Sequence, residues 1–111
     1  MRRVILESPY GSADPAEIAR NVDYARRCVR DCVMRGESPI ASHLLFTQPG
    51  ILRDEVPEER TLGIEAGLAW CAVADASVVY TDRGISGGMR RGIDAAVAAG
   101  LPIEYRGIEP L

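Results

Sequence analysis

Apolar positions along this chain alternate between short continuous runs and longer stretches at helical spacing. Residues 3–8 (RVILES) form a run ended by Pro9 and Gly11, the mark of a buried strand. Asp14-Pro15-Ala16-Glu17 then reads as a helix start: Asp14 caps, Pro15 suits the first helical position, and Glu17 stands where a capping-box partner belongs. Ile18, Val22, Ala25, Val29, Cys32 and Val33 recur at helical spacing, Arg26, Arg27 and Arg30 make a solvated opposite side, and Gly36 closes the helix. Residues 38–42 (SPIAS) predict a second strand. Residues 43–56 mix apolar side chains with the Pro49-Gly50 turn signal and read as a lid-like loop. Pro57-Glu58-Glu59 open a second helix, acidic in its first turn as the helix dipole favours; it carries Leu62, Ile64, Leu68, Ala69 and Trp70 and runs to about Val73. Residues 76–80 (ASVVY) predict the third strand and Thr81-Asp82-Arg83-Gly84 a turn. Ser86 or its neighbour caps a third helix through Ala99, Gly100 stops it, and residues 102–105 (PIEY) make the last strand.

Strands alternating with helices imply right-handed crossovers. The expected fold is α/β: a Rossmann-like three-layer domain with a mainly parallel four-stranded sheet in the order 2-1-3-4. At 111 residues the chain is long enough for one domain, taken as residues 1–111. The net charge of −3 offers no basic face for a nucleic acid polymer. All 13 basic residues are arginine, so a lysine Schiff base and a P-loop lysine are excluded. Cys28 and Cys32 can share a helix face and Cys71 stands apart; with one histidine in the chain they read as packing residues, and no metal or other cofactor is expected. The apolar run near the N-terminus is short for a signal peptide and no stretch has the length of a membrane span, which gives a cytoplasmic expectation.

In an open α/β sheet, ligands bind outside the carboxyl ends of the strands where the strand order reverses. That rule gathers Ser8, Pro9, Tyr10 and Gly11 after the first strand, His43 after the second, and Asp82 with Ser86, Gly87, Gly88 and Met89 after the third. Tyr10 offers a face for stacking a base, and the glycine-rich helix start offers backbone N–H groups to an anion. Asp82 could accept from ribose hydroxyls, and Glu65, among the small residues Gly63, Ala66 and Gly67, could lean into the pocket; Asn21 lies near its side. For each the plain alternative is a turn, a cap or a solvated face.

The stretch from Ile64 to Trp70, the run Ala74-Asp75-Ala76-Ser77-Val78-Val79-Tyr80 and the start Gly84-Ile85-Ser86-Gly87-Gly88-Met89 resemble the nucleoside 2-deoxyribosyltransferase-like superfamily. That group includes small deoxynucleoside-monophosphate N-glycosidases and small uncharacterised phage and bacterial members. The resemblance implies a nucleoside or nucleotide ligand, a homodimer and a glutamate on the helix after the third strand that meets the anomeric carbon. Aligned through Ser86 and Gly88, that glutamate falls on Gly92, and glycine supplies no carboxylate. A register two residues on would bring in Asp94, but roughly 200° around the helix. Two readings follow. One is a binding protein without turnover, plausible as a phage-type sponge that holds a nucleotide immune signal such as a cyclic ADP-ribose isomer or cyclic nucleotide, in the host cytoplasm if phage-encoded. The other is an N-glycosidase or deoxyribosyltransferase with Glu65 or Asp82 as replacement carboxylate. A homodimer would use the apolar helix with Leu62, Leu68 and Trp70.

Overall fold

The computed structural model describes residues 1–110. Four parallel strands, β1 (Arg2–Glu7), β2 (Glu37–Ile40), β3 (Ala76–Tyr80) and β4 (Ile103–Arg106), form one sheet in the order β2-β1-β3-β4. The helices are α1 (Pro15–Met34), the single turn α2 (Ser42–Leu45), α3 (Pro57–Leu68), which continues into a 3₁₀ turn at Ala69–Ala72, and α4 (Gly87–Ala98). The architecture is thus the α/β sheet that the alternation predicted. Both central strands are covered on each face, which is why β1 and β3 read as unbroken apolar runs. Pro39 is tolerated because β2 is an edge strand.

One face of the sheet, with Val4, Leu6, Val78 and Tyr80, packs on Tyr24, Cys28 and Cys32 of α1. On the other face Val79 meets Met89 and Ile93 of α4. The buried side of α1 is rotated from the sequence expectation: Asn21, Tyr24, Ala25, Cys28 and Cys32 are buried, whereas Val33 is exposed. Two polar residues displace aliphatic ones because their polar atoms are satisfied inside. Asn21 Nδ2 donates to the Tyr10 carbonyl at 2.9 Å, and the Tyr24 hydroxyl donates to Asp82 at 2.6 Å. Other boundaries shift modestly. β2 ends at Ile40, so residues 42–45 are helical rather than strand or loop, and the second long helix tightens after Leu68.

A buried ion pair crosses beneath α1. Arg106 holds both oxygens of Glu37 at 2.7 Å, with side chains 7% and 8% exposed, and Arg2 joins Glu37 at 3.3 Å and Glu104 at 2.6 Å. The paired guanidinium keeps the Glu37 carboxyl below its ordinary range. No described helix is long and apolar enough to cross a membrane.

Candidate active site

A cavity of about 570 Å³ opens at the carboxyl edge of the sheet. Its floor is the end of β1, Ile5, Glu7 and Ser8, and the loop through Tyr10 and Gly11. One wall is α2 and its continuation, with His43, Phe46 and Thr47; a second is α3, with Arg60, Gly63, Ile64, Gly67 and Leu68; the third is the start of α4. The closeness of α2 and α3 depends on a bare backbone. A Cβ on Gly67 would come within 2.9 Å of the Ser42 Cβ.

Of the residues selected from sequence, Ser8, Tyr10, Gly11, His43, Ser86, Gly87, Gly88 and Met89 line this cavity. Pro9 does not; it shapes the turn between Ser8 and Tyr10. Asn21 also lies outside the lining and buttresses the same turn through the Tyr10 carbonyl. Ser86 caps α4 by accepting from the Met89 N–H at 3.2 Å. The Met89 sulfur accepts from the Ser86 N–H in return at 3.4 Å, and the Met89 side chain packs into the core.

Two expectations are corrected. Glu65 is exposed and lies outside the cavity. Gly63, Ile64, Gly67, Leu68 and Cys71 share the cavity face of the helix, and at about 100° per residue Glu65 points away from that stripe. Asp82 also lies outside the lining. Its oxygens are taken by the Tyr24 hydroxyl at 2.6 Å, the Ile108 N–H at 2.9 Å and the Glu109 N–H at 3.1 Å, so it clasps the C-terminal segment to α1. Burial opposes its charge, but these hydrogen bonds outweigh it and hold the carboxyl below its usual range.

The cavity holds the Glu7 carboxyl group against α4, with Asp54 and Glu59 on the α3 side; Glu7 is hard to single out in the sequence because it lies inside the predicted strand. A Cβ built on Gly92 would overlap the Glu7 carboxyl group, coming within 2.6 Å of its Cδ and closer still to Oε2. Gly92 therefore leaves no vacancy on α4: the carboxyl group of β1 fills the space where a side chain at position 92 would begin. Burial pushes the Glu7 carboxyl up to about 8, since no cation is close enough to offset the loss of water. One signal in the sequence pointed here, a carboxylate at the carboxyl end of a buried central strand, directly before Ser8.

Beside it, Ser8 Oγ and His43 Nε2 stand 2.7 Å apart. Burial lowers the His43 imidazole to about 4. Arg60 and Arg91 bring positive charge to the cavity; Arg60 is paired with Asp54 at 3.2 Å, and Arg91 has no ion-pair partner among the described residues. Among the described residues, no three His, Cys, Asp or Glu side chains converge as a metal site.

The fold is shared with a solved structure of a 2-deoxyribosyltransferase from the psychrotolerant bacterium Bacillus psychrosaccharolyticus. The two superpose with a TM-score of 0.64 at 20% sequence identity, over 98% of this chain and 76% of that one. No curated protein matches the sequence. Residues 2–106 match the model of a domain of unknown function, DUF7768, and the chain belongs to that family.

Proposed function

We propose that the protein binds a nucleoside or nucleotide in this cavity and cleaves or transfers at its N-glycosidic bond, with Glu7 meeting that bond. The observation that carries this reading is the Glu7 carboxyl group seated over Gly92. A carboxyl from β1 occupies the space that the resemblance assigns to a helix-borne glutamate. The fold likeness to a 2-deoxyribosyltransferase supports the choice of ligand class. Tyr10 supplies a stacking face, and the N–H groups at the start of α4 with Arg91 suit an anionic substituent. A carboxyl held neutral at pH 7 can give its proton to the departing nucleobase nitrogen.

Retention without turnover is the second reading, a sponge for a nucleotide signal, favoured by the absence of any carboxylate on α4 at position 92. One experiment separates the two. Protein at stoichiometric concentration is incubated with nucleosides, nucleoside monophosphates, cyclic dinucleotides and cyclic ADP-ribose isomers, and the free and heat-released fractions are chromatographed. Free base formed over many turnovers, and lost in Glu7→Gln, supports cleavage. Ligand bound and released whole supports sequestration, and no depletion of any compound refutes both. The reading includes a homodimer. Leu62, Trp70 and Val73 are exposed on one side of α3 and its 3₁₀ extension and would meet a second copy, whereas Leu68 faces the cavity. Sedimentation of wild type and Trp70→Glu tests this, and a monomeric wild type would dismiss it.

A further inference from the structure

We propose that Ser8 and His43 form the proton-accepting arm of the cavity, drawing the proton from the water or hydroxyl acceptor that captures the sugar when the base departs. This rests on the N-glycosidic reading above and adds to it the group that makes the acceptor a nucleophile.

The geometry carries the argument. Ser8 Oγ lies 2.7 Å from His43 Nε2, and both residues line the cavity that holds Glu7. The Glu7 carboxyl group sits against α4, whereas His43 enters from α2, so the two groups approach the space between them from different walls. The short helix is held in place where it matters: the Thr47 hydroxyl donates to the His43 carbonyl at 2.7 Å. Ser8 itself is buried, with its hydroxyl committed to the imidazole. A neutral imidazole accepts at Nε2 when Nδ1 carries the proton, so Ser8 donates to it and keeps its own lone pairs free to accept.

The step balances as follows. The acceptor oxygen forms a bond to the anomeric carbon while the bond to the nucleobase nitrogen breaks and its electron pair leaves with the base. The nitrogen takes the Glu7 proton. The acceptor's proton passes to Ser8 Oγ as the serine proton moves to His43 Nε2, and the imidazolium later returns a proton through solvent to the Glu7 carboxylate. With water as acceptor the products are free base and free sugar. Burial favours the starting protonation states, a neutral imidazole down to about 4 and a neutral Glu7 up to about 8. The ionisable groups facing this space are Glu7 and Tyr10 from the β1 side, Asp54, Glu59, Arg60 and Cys71 from α3 and its flanks, and Arg91 from α4. His43 acts through Ser8 and is therefore a positioning and proton-holding residue.

The chain has a single histidine, so nitrogen NMR of the untagged protein reports His43 without assignment. The expected spectrum is the neutral Nδ1–H tautomer throughout the neutral range, disturbed by Ser8→Ala. With the nucleoside and nucleoside 5′-monophosphate panel as probe, Ser8→Ala and His43→Gln are expected to lower kcat about 100-fold with KM nearly unchanged, and to remove the acidic limb of the pH profile. The opposite tautomer, or an imidazolium at neutral pH, overturns the proposal, and this wild-type spectrum decides even where a variant fails to fold. So does unchanged turnover in folded variants, which would leave the pair a structural hydrogen bond. Absence of turnover by wild type overturns the N-glycosidic reading, and this inference with it, while the NMR result still shows whether the pair is built as described.

Discussion

Replacing Glu7 with glutamine should stabilise the protein, and by an amount that grows with pH. The wild-type carboxyl is raised from 4.5 to about 8 by burial, so between those values the folded chain keeps a proton that the unfolded chain has released. The unfolded state therefore binds fewer protons, and stability falls as pH rises through this window. Below about pH 4.5 both states are protonated and the contribution vanishes; above about pH 8 both are ionised and the penalty is constant. At about 1.4 kcal/mol per pH unit, the full cost is roughly 5 kcal/mol, and at pH 7 roughly 3 kcal/mol. Water entering the open cavity screens the ionised form, so these are upper figures. Glutamine keeps the size and removes the titration. Urea unfolding of both proteins at about pH 5, 7 and 9 should show a gap that is small in acid and several kcal/mol in base, at unchanged m-value. His43 contributes with the opposite sign, its stability lost as pH falls from 6.5 towards about 4, but it is common to both proteins and cancels in the difference. A gap that does not change between about pH 5 and 9 would refute the burial argument and the protonated Glu7 with it.

Three further outcomes are expected. Gly92→Ala should push the Glu7 carboxyl aside: the overlap falls on the far end of a flexible side chain and yields cheaply, against about 1 kcal/mol gained in helix propensity, so N-glycosidic turnover should fall while stability in urea holds or rises. Glu7→Ala removes the group that is displaced, so the double-mutant cycle with Gly92→Ala should show coupling, and additive effects would show that the two positions do not share space. Glu37→Gln should cost about 3 kcal/mol at neutral pH, the low end for a broken buried pair, because the buried Arg106 keeps only Glu104 at 3.6 Å, and the wild-type advantage should fade in acid as Glu37 protonates; denaturation across pH measures both. Glu65→Gln should leave ligand depletion and stability unchanged. Asp82→Ala should lower the melting temperature through loss of the C-terminal clasp while leaving depletion intact, and weakened binding by either variant would return those residues to the site.

The strand order, the parallel sheet and the carboxyl-edge location of the cavity were legible in the sequence because they follow from local patterns and general rules. A run such as ASVVY must be covered on both sides, and Asp14-Pro15 can only start a helix well. The loops after the strands were legible as pocket walls for the same reason. Which side chains enter the pocket was a different matter, since that depends on rotation about helix and strand axes fixed by distant partners. Glu65 faces out because Gly63 and Gly67 turn their side of α3 toward Leu52 and Ser42. Asp82 is spent on Tyr24 and on backbone 26 and 27 residues away. The sequence alone determined that position 92 carries no carboxylate. Only the tertiary structure decided that Glu7, remote in the chain, fills that place, because the overlap arises between a strand end and a helix turn that meet across the sheet.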